Sequence, residues 1–250
     1  MIERVDDDGI AILTMAHGPV NAMDIELCEG IAETFRGLVS DPARAVVLTA
    51  GGSSFSAGVD LKRFLDGGAA YVERFLPALA GCFRAVFDLP KPVVVAVNGH
   101  AIAGGCVLAA CADVVLMAEG KGRIGVPELK VGVPFPRIAL EAMRIAVGEV
   151  GARRMVLGAA TYRPAEAHAL GLVDEVVEPD ALRAEAVTAA RGLAADVPPD
   201  TFAATKAALR REAADRADRY SADDEVAVRL WSRRATDGWV ADYLERVTKR

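Results

Sequence analysis

Residues Val93–Val115 read VVVAVNGHAIAGGCVLAACADVV, and the organisation of the chain follows from them. The apolar, β-branched run Val93–Val97 predicts a buried strand. Asn98-Gly99 breaks it with turn chemistry. Gly104-Gly105 open a small-residue stretch whose portion Cys106–Cys111 fits a tightly packed helix, and Asp113–Met117 predicts a second buried strand. Two readings of the glycine pair stand side by side. Without a Cβ, the glycines let a helix and a strand approach closely. They also present bare backbone N–H groups at a helix's positive end, where a negative oxygen is held.

Upstream, Ile2–Val5 and Ile10–Ala16 predict strands joined through the acidic turn Asp6-Asp7-Asp8-Gly9. His17 lies in the loop His17–Asn21 as either a surface hydrogen-bonding residue or a base. Over Met23–Val39 the apolar residues Leu27, Ile31, Phe35 and Leu38 recur at helical spacing, with Asp24 as N-cap. Ala45–Thr49 is another buried strand, so strand, helix and strand predict a right-handed crossover and a parallel sheet. The loop GGSSFSAGVDLK (Gly51–Lys62) then runs into a helix with Asp60 near its first turn, and Tyr71–Asp88 continues as a long helical pattern stopped by Leu89-Pro90. The central stretch repeats this strand–glycine–helix unit. Two such loops at one sheet edge bring two sets of backbone N–H groups together.

Downstream, Ile124–Pro134 is rich in Gly and Pro and carries one central carboxylate, Glu128. It is either a surface acid, an ion-pair partner of Lys130 or Arg137, or a working group. Short helices are predicted over Ile138–Val147 and Ala152–Leu157. Another begins at Pro164, and a last strand spans Glu175–Val177. From Pro179 the pattern is helical: a face of Leu182, Ala186, Ala190 and Leu193, then Phe202–Ala217, Asp223–Ala235 and Asp237–Val247. In the last, Val240, Tyr243, Leu244 and Val247 form an i, i+3, i+4, i+7 stripe. This predicts a core to about Val197 and a helical unit too small to bury its apolar residues alone, which therefore packs against other subunits.

The chain of 250 residues is 52% hydrophobic and 26% charged, the composition of an ordered globular protein. A net charge of -6 argues against a nucleic-acid surface. Cys28, Cys82, Cys106 and Cys111 contain no Cys-x-x-Cys pair and read as buried thiols of a reducing compartment. No apolar run approaches a membrane span and Met1 leads into IERVDDDG, so a soluble cytoplasmic protein is expected. No Gly-x-Gly-x-x-Gly follows the first strand, which disfavours a dinucleotide dehydrogenase.

Taken together, GPVNAM (Gly18–Met23), FSAGVDLK (Phe55–Lys62), NGHAIAGGCVLAACAD (Asn98–Asp113), PELKVGVPF (Pro127–Phe135) and RPAEAHALGLVDEVV (Arg163–Val177) resemble the crotonase superfamily, the enoyl-CoA hydratase/isomerase proteins. The likeness covers essentially the whole chain. It implies an α/β fold: a crotonase-type spiral of ββα units over residues 1–197, binding acyl-CoA, with a C-terminal helical trimerisation region over 198–250. It also implies acyl-CoA thioester substrates, a homotrimer or dimer of trimers, no nucleic-acid or membrane partner, and no metal or redox cofactor, coenzyme A being part of the substrate.

Residue by residue, the resemblance puts the oxyanion-hole N–H groups on Val59 and Gly104, and CoA contacts on Ala57, Asp60, Leu61 and Lys62. Met23 and Val107 fall beside the substrate. The family's hydratases carry two glutamates, and here those positions are Val107 and Glu128. Hydration needs two carboxylates to hold a water and deliver a proton, whereas moving a double bond needs one base. Valine in place of the first glutamate resembles the mitochondrial-type Δ3,Δ2-enoyl-CoA isomerases, as do AGGC followed by apolar residues and Tyr243–Arg246. The resemblance therefore implies isomerisation of 3-enoyl-CoA to trans-2-enoyl-CoA in fatty acid breakdown, with Glu128 as the acid/base. The alternatives are hydration, thioester hydrolysis or decarboxylation with a group from elsewhere (Asp66, Glu73, Glu141 or His100), or a non-catalytic CoA- or RNA-binding member.

Overall fold

The structure, a computed structural model, describes residues 1–248. The chain opens with the hairpin β1 (Ile2–Asp7) and β2 (Ile10–Met15), where Asp7 pairs with Ile10. The two turn residues, Asp8 and Gly9, both have positive φ (46° and 79°), the conformation a two-residue Asp-Gly turn takes to match strand twist. Helix α1 (Ile25–Gly37) starts at Asp24, whose carboxylate accepts from the Leu27 amide as an N-cap. Met23, expected as the helix start, is instead extended and bridged to Val59.

Strands β3 (Ala45–Ala50) and β4 (Ser54–Ser56) precede α2 (Leu61–Phe87), which begins directly after Asp60 as the loop reading expects, runs on through the pattern that starts at Tyr71, and breaks at Gly68 (φ 57°, ψ −150°). The unit then repeats as β5 (Val93–Val97), β6 (His100–Ile102) and α3 (Gly104–Ala110). It repeats again as β7 (Val114–Ala118), β8 (Ile124–Gly125) and α4 (Glu128–Val131). Helix α5 (Arg137–Gly158) is interrupted at Gly148 (φ 69°), which divides it into the two short helices expected. β9 (Thr161–Tyr162), α6 (Pro164–Ala169), β10 (Glu175–Val177) and α7 (Leu182–Ala194) complete the core.

The long strands form one sheet in the order β1-β2-β3-β5-β7-β10, parallel except for the hairpin. The short strands form a second sheet, β4-β6-β8-β9, which the sequence reading did not contain. Alternation along β5 explains the layering. Val94 and Ala96 face Leu182, Ala186 and Ala190 of α7, while Val93, Val95 and Val97 face the main core with α1, α2 and α3.

The chain ends in α8 (Pro199–Arg219), α9 (Ala222–Arg234) and α10 (Trp239–Thr248). These fold back onto their own chain: α8 on α5, α9 on α2, and α10 on α2 and α4. Trp231 and Val240 are 2% and 0% exposed within the main core. That removes Trp231 and Val240 from the apolar surface expected to need another subunit, while Trp239 and Val247 stay exposed. Residues 249–250, the end of the expected helical region, lie outside the described residues. No helix among the described residues is long and apolar enough to cross a membrane.

Candidate active site

Segment 18–23 straps the glycine-rich loop after β3 in place. Asn21 takes a left-handed backbone (φ 48°), which its short amide tolerates. Its side chain donates to Ser54 O (3.0 Å) and Gly51 O (3.3 Å), while its own carbonyl accepts from Ser56 Oγ at 2.7 Å. The Ala57 amide donates to Val20 O at 3.0 Å. Then Met23 N donates to Gly58 O (2.7 Å) and Asp60 N to Met23 O (3.0 Å), a parallel bridge centred on Val59. In that arrangement the N–H of Val59 points away from Met23 and stays unpaired by it.

Gly58 lets this loop meet the second one. It has φ 87°, and a Cβ there would sit 2.6 Å from Ile102 O. Ala103, the next residue, holds φ 52° and ψ −122°, a conformation rare outside glycine and one that stores of order 1–3 kcal/mol. It is fixed by its own amide donating to Gly125 O (2.8 Å) and by Cys106 N and Val107 N donating to its carbonyl (2.9 and 3.1 Å). The kink turns β6 into α3 and puts Gly104 at the helix head, where the first amides have no intrahelical acceptor. A Cβ on Gly104 would lie 2.7 Å from Met23 Sδ. The close-packing reading of the glycine pair therefore holds, and Gly104 stands at the helix head. The pair permits close packing, and Met23 stands as the post between the Val59 and Gly104 loops.

Beside these loops is a cavity of about 360 Å³. Ala57, Val59, Asp60, Leu61 and Lys62 line one side, and Ile102 and Ala103 lie next to them. Pro127, Glu128, Val131 and Val133 form a second wall, and Trp231, Tyr243, Leu244 and Val247 a third. Gly104 adjoins Ala103. Asp60 is the N-cap of α2, accepting from Lys62 N and Arg63 N (3.1 and 3.0 Å), so its carboxylate is already engaged. Lys62 is exposed. Glu128, the first residue of α4, is 7% exposed, and its Oε2 has no hydrogen-bond partner among the described residues. Burial among apolar groups pushes its pKa from 4.5 up to about 8. The Tyr243 hydroxyl is raised as well, by burial first and then by the nearby Glu128 charge.

Three expected positions do not line the cavity, the first being Gly104, which is buried beside Ala103 at the head of α3. Val107 is 1% exposed in the main core, on α3, and Met23 is fully buried behind the loops. The other candidates are elsewhere or engaged. Asp66, Glu73 and His100 are exposed. Glu141 is fully buried but paired with Arg137, Arg144 and Arg216 at 2.8, 2.7 and 2.9 Å. His17 pairs with Asp24 at 2.7 Å. The third wall was missed. Its signal is the stripe through Tyr243, Leu244 and Val247, whose spacing alone points to contacts between subunits.

Residues 6–247 match the model of the enoyl-CoA hydratase/isomerase family. The chain belongs to that family. It is 37% identical over 182 residues to a Thermus thermophilus protein named as an enoyl-CoA hydratase, covering 71% of each chain. Its fold superposes on human mitochondrial Δ3,Δ2-enoyl-CoA isomerase with a TM-score of 0.89 at 25% identity, covering 99% and 98% of the two chains. It superposes on a Mycobacterium tuberculosis protein named as an enoyl-CoA hydratase with a TM-score of 0.80 at 30% identity, covering 92% and 98%. Membership of the enoyl-CoA hydratase/isomerase family thus identifies a crotonase-fold enzyme. Names of both reactions occur among its relatives.

Proposed function

We propose that this enzyme is an isomerase that converts 3-enoyl-CoA to trans-2-enoyl-CoA in fatty acid degradation. One observation carries the reading. Among the described residues lining the cavity, Glu128 is the one carboxylate not engaged as a cap, and the position of the hydratases' other glutamate, the first of the two, is Val107, buried in the core.

Glu128, ionised, takes a proton from C2 of the thioester. The C2–H electrons form the C2=C3 bond, the C3=C4 electrons pass to C4, and Glu128 returns the proton there. Nothing is gained or lost overall. Between the two transfers, negative charge gathers on the thioester oxygen as a dienolate. The amides of Val59 and Gly104 meet that charge as fixed donors, and losing one such donor typically costs about 10²–10³ in rate. Because α3 has seven residues, the Gly104 donor acts as an individual N–H group rather than through a long helix dipole. Ala57, Leu61 and Lys62 hold the CoA end, and Asp60 shapes their turn. Met23 supports the two donor loops from behind, and Val107 keeps the other carboxylate position apolar. The scheme requires neither a metal nor a redox cofactor. Threefold assembly belongs to the same proposal.

The purified enzyme should isomerise 3-enoyl-CoA orders of magnitude faster than it hydrates trans-2-enoyl-CoA. Glu128→Gln should lower isomerase turnover by about 10²–10⁴ while leaving CoA thioester binding nearly intact, since the oxyanion donors are backbone. Comparable rates for both reactions in the unmodified enzyme would favour hydration. Full isomerase activity in Glu128→Gln would remove the one-carboxylate mechanism.

A further inference from the structure

Burial grades the cavity wall. Ala57, Lys62 and Val247 are exposed and form the mouth, whereas Val133 and Trp231 are each 2% exposed and form the inner end. Trp231 is backed by the main core. Its ring meets Phe64 edge-on at 5.7 Å and Phe75 at 6.2 Å, and both phenylalanines are fully buried. The ring is also pinned. Its Nε1–H donates to Pro134 O at 2.8 Å. Two further bonds strap the same helices to the segment after Glu128: Arg234 Nε to Gly132 O (3.2 Å) and Trp239 Nε1 to Lys130 O (3.2 Å). A tail reaching Trp231 meets a wall that cannot rotate aside without breaking a buried hydrogen bond.

We propose that Trp231 is the floor of the acyl cavity and confines the enzyme to short thioester tails of about eight carbons or fewer. The limit follows from volume. A cavity of about 360 Å³ lies near the lower end of the range for ligand sites, about 300–1,000 Å³. The thioester group and the adjoining end of the CoA arm share that space, which leaves room for a tail of about eight carbons rather than of twelve or sixteen. The inference rests on reading this cavity as the acyl site. It adds to that reading a specificity-determining residue that neither donates nor accepts a proton.

The test separates the two ideas by using unreactive ligands. Calorimetric titration with saturated acyl-CoA thioesters of four to sixteen carbons should give affinity rising about fourfold per added methylene up to about eight carbons. Affinity should then level or fall, by tenfold or more at twelve. In Trp231→Leu the break should move two to four carbons longer, and kcat/KM for 3-enoyl-CoA substrates should follow the same shift. Trp231→Phe, which keeps a ring of similar breadth, should stay close to the unmodified enzyme. If Trp231→Leu does not fold, the unmodified series still decides. Affinity that climbs through twelve and sixteen carbons overturns the floor and leaves the acyl site standing. A folded Trp231→Leu with an unmoved break also overturns it. Failure of four-, six- and eight-carbon thioesters to bind overturns the acyl site and the floor together.

Discussion

The Glu128 carboxyl should hold its proton in the folded chain and release it in the unfolded one over the pH range from about 4.5 to about 8. Its folded pKa lies above its unfolded value, so the folded state binds more protons there. Stability from this group is full below pH 4.5 and is lost as pH rises through 8, at up to about 1.4 kcal/mol per pH unit. Urea unfolding from pH 5 to 8.5 should therefore slope downward, and Glu128→Gln should flatten that slope and be the more stable form at pH 8. Parallel curves for the two proteins would show that Glu128 is not desolvated. The same shift bears on catalysis, because the base must be ionised: kcat/KM should rise with pH along a limb centred near 8. Lys62, exposed at the mouth, calls for a different readout. A phosphate contact far from C2 is mostly uniform binding, so Lys62→Ala should raise KM more than it lowers kcat. The effect should shrink as salt is added. An unchanged KM at low salt would displace Lys62 from the CoA site.

Helix α8 is joined to the sheet by buried charge rather than by apolar area. Asp113, just before β7, accepts from Val93 N (2.8 Å), Lys206 Nζ (2.7 Å) and Arg210 Nη2 (2.8 Å), and Lys206 also donates to Lys91 O. Burial lowers the Lys206 pKa to about 8, and Asp113 opposes that shift. Removing the carboxylate strands two buried cations, so Asp113→Ala should cost about 3–5 kcal/mol in urea unfolding. Acyl-CoA affinity should survive below the new transition. A loss under 1 kcal/mol would mean that the cations relax to water. No pattern in the sequence announces this triad, because Asp113 lies 93 and 97 positions from Lys206 and Arg210 and each alone looks like a surface charge. The second sheet escaped for a related reason. Ser54–Ser56, His100–Ile102, Ile124–Gly125 and Thr161–Tyr162 are too short to show a period of two, and their pairing is long-range. The long strands were legible because β3 and β5 are buried on both faces and contain no polar residue except Thr49. The site was legible in part. Glu128 stood out as one acid in an apolar loop, and the glycine loops by their composition. The wall formed by Trp231, Tyr243, Leu244 and Val247 depends on where α9 and α10 fold, which amphipathic spacing alone does not specify.

At the scale of the molecule, the return of α9 and α10 onto their own chain changes the case for assembly. Trp231 and Val240 are hidden without a partner, so they no longer call for one. Apolar surface stays in water on these helices at Val226, Leu230, Trp239 and Val247, and it also gathers on α5 and α8. Leu209 of α8 is 74% exposed and Ile145 of α5 is 40% exposed, and both line a groove of about 490 Å³ with Leu193 and Phe202. Apolar side chains gathered around one groove are what an interface between copies requires, whereas scattered ones are not. The proposed threefold assembly is therefore expected to use this face, and light scattering at micromolar concentration should give a mass near three chains or a multiple of three. Charging the face with Ile145→Glu and Leu209→Glu together should shift the mass toward one chain. Each described wall of the acyl cavity comes from the same chain, so the separated subunits should still bind a short acyl-CoA with affinity within a few fold of the assembly. A monomer in the unmodified protein would sink the oligomer. A trimer that survives both charges would put the contact on another face. Loss of acyl-CoA binding on separation would mean that a neighbouring copy completes the site.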